Sequence, residues 1–375
     1  MNIAYYMPFK PLGHGNPSGD LITGTELYLH LEALGHSMEL ASKLRCRWIY
    51  YKPFSLFKLL REQRRIAQKG LKQKPDIWLS YHSYYKAPDL LGPTSSRKLG
   101  IPYAIFQGIY STKRRKKLKT LPGFHLNKQS LLTANHVFTN KRRDHTNLKR
   151  ILPDDKLTFI APGIHPKNFT FSNKWRETIK QNLDCQGETI IMTAAMMRPG
   201  VKTKGIKTVI DSCINLIQRG QKIQLIIAGD GENRRQLEKQ ASSAVGLKVH
   251  FLGKIPRHEL YRYYSAADIF AFPGIEESLG MVYLEAQSCR TPVIAYSNWG
   301  GGEAVVHNKT GLISPASEPN LFTKNIEKLI VQQELRQTLG DNGCRHIQKH
   351  HNIKSNYNLL ENTLYNLTHC KGVSY

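Results

Sequence analysis

The sequence predicts an α/β protein built of two facing Rossmann-like domains with a ligand cleft between them. Three observations carry this expectation. Short apolar runs alternate with helix-like stretches almost throughout, a Pro/Gly-containing segment interrupts the alternation near the middle, and the alternation then restarts. A length of 375 residues exceeds one ordinary core and suits two. With 40% hydrophobic and 22% charged residues, the composition excludes disordered and fibrous classes.

In the first half, strands are expected at residues 3–7, 37–40, 77–81, 103–106, 137–139 and 157–160, with helix-like stretches at 26–34, 56–68 and 142–152. The break is Ala161-Pro162-Gly163-Ile164-His165-Pro166. Strands resume at 189–194, 223–228, 249–252, 269–272, 292–295 and near Leu312. The expected organisation is an acceptor-side domain at 1–165, a donor domain at 166–352, and a C-terminal helix within 353–375 that returns to the first domain. In such a pair, ligands sit outside the carboxyl ends of the strands.

The N-terminus lacks a charged region followed by a long apolar stretch, so neither signal peptide nor membrane anchor is expected. Six scattered cysteines with no Cys-x-x-Cys pair fit a reducing cytoplasm. The net charge of +26 is uneven: residues 1–168 hold 29 Lys and Arg against 10 Asp and Glu. That field favours an anionic partner, whether a phosphorylated small molecule, a phospholipid surface or nucleic acid. The run Lys113-Arg114-Arg115-Lys116-Lys117-Leu118-Lys119 is its densest part; it reads as a solvated loop or as a contact for an anionic membrane or a phosphorylated acceptor. No nucleic-acid module accompanies it, and no aromatics interleave it, so nucleic acid is not the expected partner.

Two segments of the second half carry chemistry. Residues 197–205, Met-Arg-Pro-Gly-Val-Lys-Thr-Lys-Gly, follow a strand and precede a helix expected at 206–218. Cations beside the free amides of a helix start suit a phosphate or pyrophosphate, although a solvated basic loop gives the same pattern. The second segment runs from Phe272 to Ala286, with a helix expected to start at Ser278 after a strand. Glu277 would then precede the helix and Glu285 lie two turns inside it; eight residues at about 1.5 Å give about 12 Å between their backbones. Glycosidase carboxyl pairs lie closer, at about 5–5.5 Å or 6.5–9.5 Å. An extended ligand with hydroxyls at both ends and phosphates between fits better, the alternative being two structural carboxylates.

Glu277 and Glu285 with seven residues between them, then Pro292-Val293-Ile294-Ala295 and Gly300-Gly301-Gly302-Glu303, resemble the donor motif of glycosyltransferase family 4. Arg198 and Lys204 resemble that family's phosphate-binding pair, Ala228-Gly229-Asp230-Gly231 its central turn, and Phe251-Leu252-Gly253 its segment near the nucleobase. Thr23-Gly24-Thr25-Glu26 resembles more weakly its glycine-rich first loop, with Gly24 alone carried over; the polar segment 13–20 before it reads as part of that approach or as a surface loop.

The resemblance implies a GT-B fold and metal-independent, retaining transfer of a sugar from a nucleotide-diphosphate sugar. In that scheme Glu277, Arg198 and Lys204 are catalytic. Gly24, Gly229, Ser278, Leu279, Gly280, Met281, Val282 and Glu285 bind donor, with Glu285 on the ribose. His14, His82 and Gln107 are acceptor-side candidates; Gln107 stands where many members carry histidine, and cannot carry a proton. No cofactor and no metal are expected; His346, His350 and His351 lack acidic or cysteine partners and read as a solvated helix face. The implied acceptor is a glycan, glycolipid or phosphorylated molecule in cell-surface synthesis, with a peripheral place on the cytoplasmic face of the membrane. A sugar phosphorylase and a non-catalytic glycan- or anion-binding protein are the alternatives.

Overall fold

Strands covered by helices on both faces lose contact with water on both sides, so they read as near-continuous apolar runs rather than alternating ones. Ile77–Tyr81 and Ile223–Ala228 are of this kind and are buried along their whole length. The computed structural model describes residues 1–14, 19–185, 187–243, 245–277 and 279–369. It divides the chain into two units, one of residues 1–162 with the chain from Lys354 onward, the other of residues 163–353.

The first unit runs β1 (Asn2–Tyr6), α1 (Gly19–Ala33), β2 (Ser37–Ser42), α2 (Pro53–Lys69), β3 (Ile77–Tyr81), α3 (Gly92–Leu99), β4 (Tyr103–Phe106), α4 (Leu121–Thr133), β5 (His136–Thr139), α5 (Arg142–Leu148) and β6 (Leu157–Phe159). Its sheet is parallel, in the order β2-β1-β3-β4-β5-β6. The second unit runs α6 (Asn173–Asn182), β7 (Thr189–Ala194), α7 (Val201–Gln218), β8 (Ile223–Ala228), α8 (Arg234–Ala241), β9 (Lys248–Gly253), α9 (Leu260–Ala266), β10 (Ile269–Ala271), α10 (Met281–Ser288), β11 (Val293–Tyr296), α11 (Gly300–Ala304), β12 (Gly311–Ser314), α12 (Pro319–Val331) and α13 (Gln333–His350). Its sheet is parallel too, in the order β12-β11-β10-β7-β8-β9.

The last helix, α14 (Ile353–His369), packs into the first unit. Its Tyr357 meets His30 of α1 edge to face at 5.0 Å, and His36 Nε2 lies 2.8 Å from Glu361 Oε1. Leu360 and Leu364 are fully buried.

Each sheet reverses its winding once. In the first unit the reversal lies between β1 and β3, in the second between β7 and β10. Strand order alone therefore singles out the loops after β1 and β3, and those after β7 and β10, as the places open to a ligand.

Three helix starts that bear on the expected site residues differ from expectation. α1 begins at Gly19, which places Gly24 inside the helix rather than in a glycine-rich loop. It is glycine there because α1 lies close on the sheet: a Cβ would stand 2.4 Å from Met7 Cε and 2.8 Å from Tyr81 Cδ1. α7 begins at Val201, so Lys202 and Lys204 belong to its first turns and not to the preceding loop. Gly205 is inside the same helix, where a Cβ would meet the Phe272 ring at 2.8 Å. α10 begins only at Met281, behind an N-cap at Gly280 with φ +77°. The helix expected from Ser278 is thus shorter, and the 12 Å separation derived from helical rise does not apply to Glu277 and Glu285. Ser278 itself lies outside the described residues, as do residues 15–18 of the polar segment after β1.

Candidate functional site

In the second unit, the loop after β7, at the reversal point, is bonded to the loop after β8. The Met197 amide donates to Asp230 O, and the Asn233 amide returns to Met197 O. Between them Gly229 closes the turn after β8. Its φ is +132°, and a Cβ would stand 2.0 Å from Ala195 O, so only glycine allows this approach. The amides of the first turn of α7 have no intrahelical acceptor and carry the positive end of an 18-residue helix. Arg198 and Lys204 are exposed beside it. The Arg198 carbonyl accepts from Thr203 Oγ1 at 2.6 Å, which ties the loop to the helix start.

Glu277 is held by Lys202: the ammonium contacts Oε2 directly. Burial pushes the Lys202 ammonium below its ordinary value. The same ammonium lies 5.7 Å from the centre of the Phe272 ring. Glu277 O accepts from the Gly300 amide at 3.0 Å, and a Cβ on Gly300 would stand 2.5 Å from Leu279 C. Leu279 therefore lies against α11 and Gly280 against Glu277, and Met281 and Val282 open α10.

Glu285 sits elsewhere on that helix, 2% exposed. Its Oε1 accepts from Arg257 Nε at 2.8 Å and its Oε2 from Tyr264 OH at 3.2 Å. The partners of both glutamates, Lys202, Arg257 and Tyr264, were missed by sequence reasoning. They lie 75, 28 and 21 residues away along the chain, and no motif spacing points to them.

In the first unit, two adjacent strand ends carry the expected acceptor-side residues. His82 follows β3 with φ +66°, and Gln107 follows β4 with φ +61°. Non-glycine residues in this region are strained, and such strain gathers at functional sites. Their amides donate to Phe106 O and Phe138 O, which holds both turns against the sheet. Gln107 is 4% exposed, and among the described residues its Oε1 has no hydrogen-bond partner. His82 Nδ1 lies 3.3 Å from Asp20 Oδ1 of α1, and its ring stacks on Tyr84 at 4.7 Å. Burial pushes the Asp20 carboxyl up, but His82, Lys141 and Lys10 together hold it below its ordinary value. Asp20 was not singled out from sequence. His14 lies in the loop after β1, its amide bonded to Pro11 O. Gly24 lies beneath this site, its carbonyl accepting from Tyr5 OH at 2.8 Å.

No group of His, Cys, Asp and Glu suited to holding a metal occurs among the described residues. The donors around the second unit's loops, a guanidinium, two ammonium groups and helix amides, suit an anion.

The fold is that of the GT-B glycosyltransferases. The Anabaena protein HepE, solved in complex with UDP, superposes with a TM-score of 0.71 at 18% identity, over 97% of this chain and 100% of that one. Residues 176–346, which lie wholly within the second unit, match the family model "Glycosyl transferases group 1". An uncharacterized glycosyltransferase of Methanocaldococcus jannaschii is 28% identical over 52% of this chain and 50% of its own length. The D-inositol 3-phosphate glycosyltransferase of Corynebacterium jeikeium is 32% identical over 40% of this chain and 37% of its own length. The chain thus spans half or less of the length of these curated relatives. The matches support a glycosyltransferase family.

Proposed function

We propose that this protein is a retaining glycosyltransferase of family 4 that moves a sugar from a nucleotide-diphosphate sugar to an acceptor hydroxyl. The carrying observation is the set of cations, helix amides and the Lys202–Glu277 pair around the loops after β7 and β10, inside the segment that matches the family. Arg198, Lys204 and the first turn of α7 would take the diphosphate, and Glu277 would orient hydroxyls of the donor sugar. Glu285, steadied by Arg257 and Tyr264, would accept from the ribose.

In the reaction, the bond from the anomeric carbon to the phosphate oxygen breaks and a bond to the acceptor oxygen forms on the same face. The acceptor proton passes to the leaving phosphate oxygen. The cations stabilise the charge that gathers there, which is the term that lowers the barrier most. They also neutralise the pyrophosphate, so no metal is required. In the first unit, His82, Asp20 and Gln107 would hydrogen-bond an acceptor hydroxyl. The excess of cations in that half, together with the inositol 3-phosphate for which the corynebacterial relative is named, favours a phosphorylated acceptor, and the reading places the reaction in cell-surface glycan or glycolipid synthesis on the cytoplasmic side.

The test is release of nucleoside diphosphate from UDP-, GDP- or ADP-sugars with chelator present. Release that requires acceptor supports the reading. A glycan cleaved by inorganic phosphate would identify a phosphorylase instead, and binding without turnover a silent sugar-binding protein.

A further inference from the structure

α2 is amphipathic in an unusual way. Its inner face is used up in the fold: Leu59 and Ile66 are buried, Gln63 Nε2 donates to Leu90 O at 3.0 Å, and Arg65 donates to Ala41 O at 2.7 Å. Its outer face begins with large apolar side chains in water, Phe54 at 86% exposed, Phe57 at 71% and Leu60 at 53%. Their spacing of three residues puts them on one stripe. Leu118, 87% exposed, joins this stripe through Tyr51, which lies two residues before α2 and whose OH donates to Lys119 O at 3.1 Å.

The basic run 113–119 is pinned rather than loose. The Arg114 guanidinium lies 4.6 Å from the Tyr85 ring centre, the Lys119 ammonium 6.0 Å from the Trp48 ring, and Thr120 Oγ1 donates to Lys117 O at 3.1 Å. Along the chain that carries this stripe the charge has one sign up to Glu62 of α2: residues 40–61 hold six Lys and Arg and no Asp or Glu, and the run 113–119 adds six more. Exposed phenylalanines and leucines beside a cluster of cations are a misfit for water and for neutral protein surfaces. They fit the boundary of an anionic bilayer, where apolar side chains enter the acyl region and cations meet phosphate headgroups.

We infer that the N-terminal half of α2 and Leu118 form an insertion surface by which the first unit docks on an anionic lipid bilayer. No helix among the described residues is long and apolar enough to cross a membrane, so this attachment is peripheral. The inference concerns the first unit's surface and does not depend on the donor reading.

The full chain is sedimented with vesicles of phosphatidylcholine alone, and of phosphatidylcholine with phosphatidylglycerol, at low and high salt. Wild type is expected to bind only the anionic vesicles, less at high salt. The Phe54→Ser/Phe57→Ser variant keeps every charge and is expected to bind at least about tenfold more weakly, because two apolar anchors are gone. Lys116→Gln/Lys117→Gln is expected to weaken binding and flatten its salt dependence. Circular dichroism and nucleoside-diphosphate binding are expected to be unchanged in both variants. Equal vesicle binding by wild type and Phe54→Ser/Phe57→Ser would overturn the inference. So would concentration-dependent self-association of wild type that this variant abolishes, since the stripe would then be a contact between copies. A protein that binds vesicles yet releases no nucleotide in any transfer assay would sink the proposed activity and leave the docking surface standing.

Discussion

Glu277 and Glu285 carry the same carboxylate, but their surroundings give them different consequences on removal. Glu277 has one cationic partner, Lys202, whose ammonium retains access to water. Glu285 is buried between Arg257 and Tyr264, and Tyr264 is itself fully buried. Glu285→Ala leaves the Tyr264 hydroxyl without its acceptor and is expected to cost about 2–3 kcal/mol of stability. Glu277→Ala is expected to unfold normally and to bind free nucleoside diphosphate as wild type does, while turnover falls. Thermal unfolding and diphosphate calorimetry on both variants check this. A normal midpoint for Glu285→Ala, or wild-type turnover by Glu277→Ala, would contradict it. The residues themselves were readable from motif order. Their partners were not, because a side-chain pairing across 75 residues is a property of packing and leaves no local pattern in the chain.

The same limit applies to elements. Both sheets were legible because strands buried on two faces must be apolar throughout, and the turns between them are marked by glycine and proline. Helix starts were less legible, and glycine is the reason. Within a helix it costs about 1 kcal/mol relative to alanine, so a sequence reading takes it as loop. Gly24 and Gly205 are nevertheless helical, because a closer approach to Met7, Tyr81 and Phe272 leaves no room for a Cβ. At α10 the reverse holds: Gly280 at φ +77° delays the helix to Met281.

On α13 an element-scale effect of pH is expected. Burial, with His351 and His350 nearby, pushes the His346 imidazole down to about 4. The folded value lies below the unfolded value of about 6.5, so between the two the unfolded chain binds more protons. Its contribution is fully present above pH 6.5 and is lost as pH falls toward 4. His346→Gln should flatten the pH dependence of the denaturation midpoint in that window; an unchanged slope would show that the ring is not held neutral.

At the scale of the whole molecule, the chain builds two cores that are not consecutive in sequence. The first unit is complete only with α14, which follows the entire second unit. Leu360 and Leu364 of α14 are fully buried, and replacing a buried leucine with alanine costs about 2–5 kcal/mol. The loss falls on the first unit alone. Leu360→Ala/Leu364→Ala is therefore expected to lower the unfolding temperature of one unit and to separate two transitions, since chains with two cores need not unfold in one step. The proposed diphosphate site lies in the other unit, at the starts of α7 and α10. A ligand at 100 times its dissociation constant stabilises its own unit by about 2.7 kcal/mol. UDP or GDP should then raise the upper transition of this variant and leave the lower one in place. Calorimetry with and without nucleotide distinguishes the outcomes. If nucleotide moved the lower transition, the site would lie in the first unit. If the variant melted in a single step moved by both mutation and nucleotide, the two cores would fold as one.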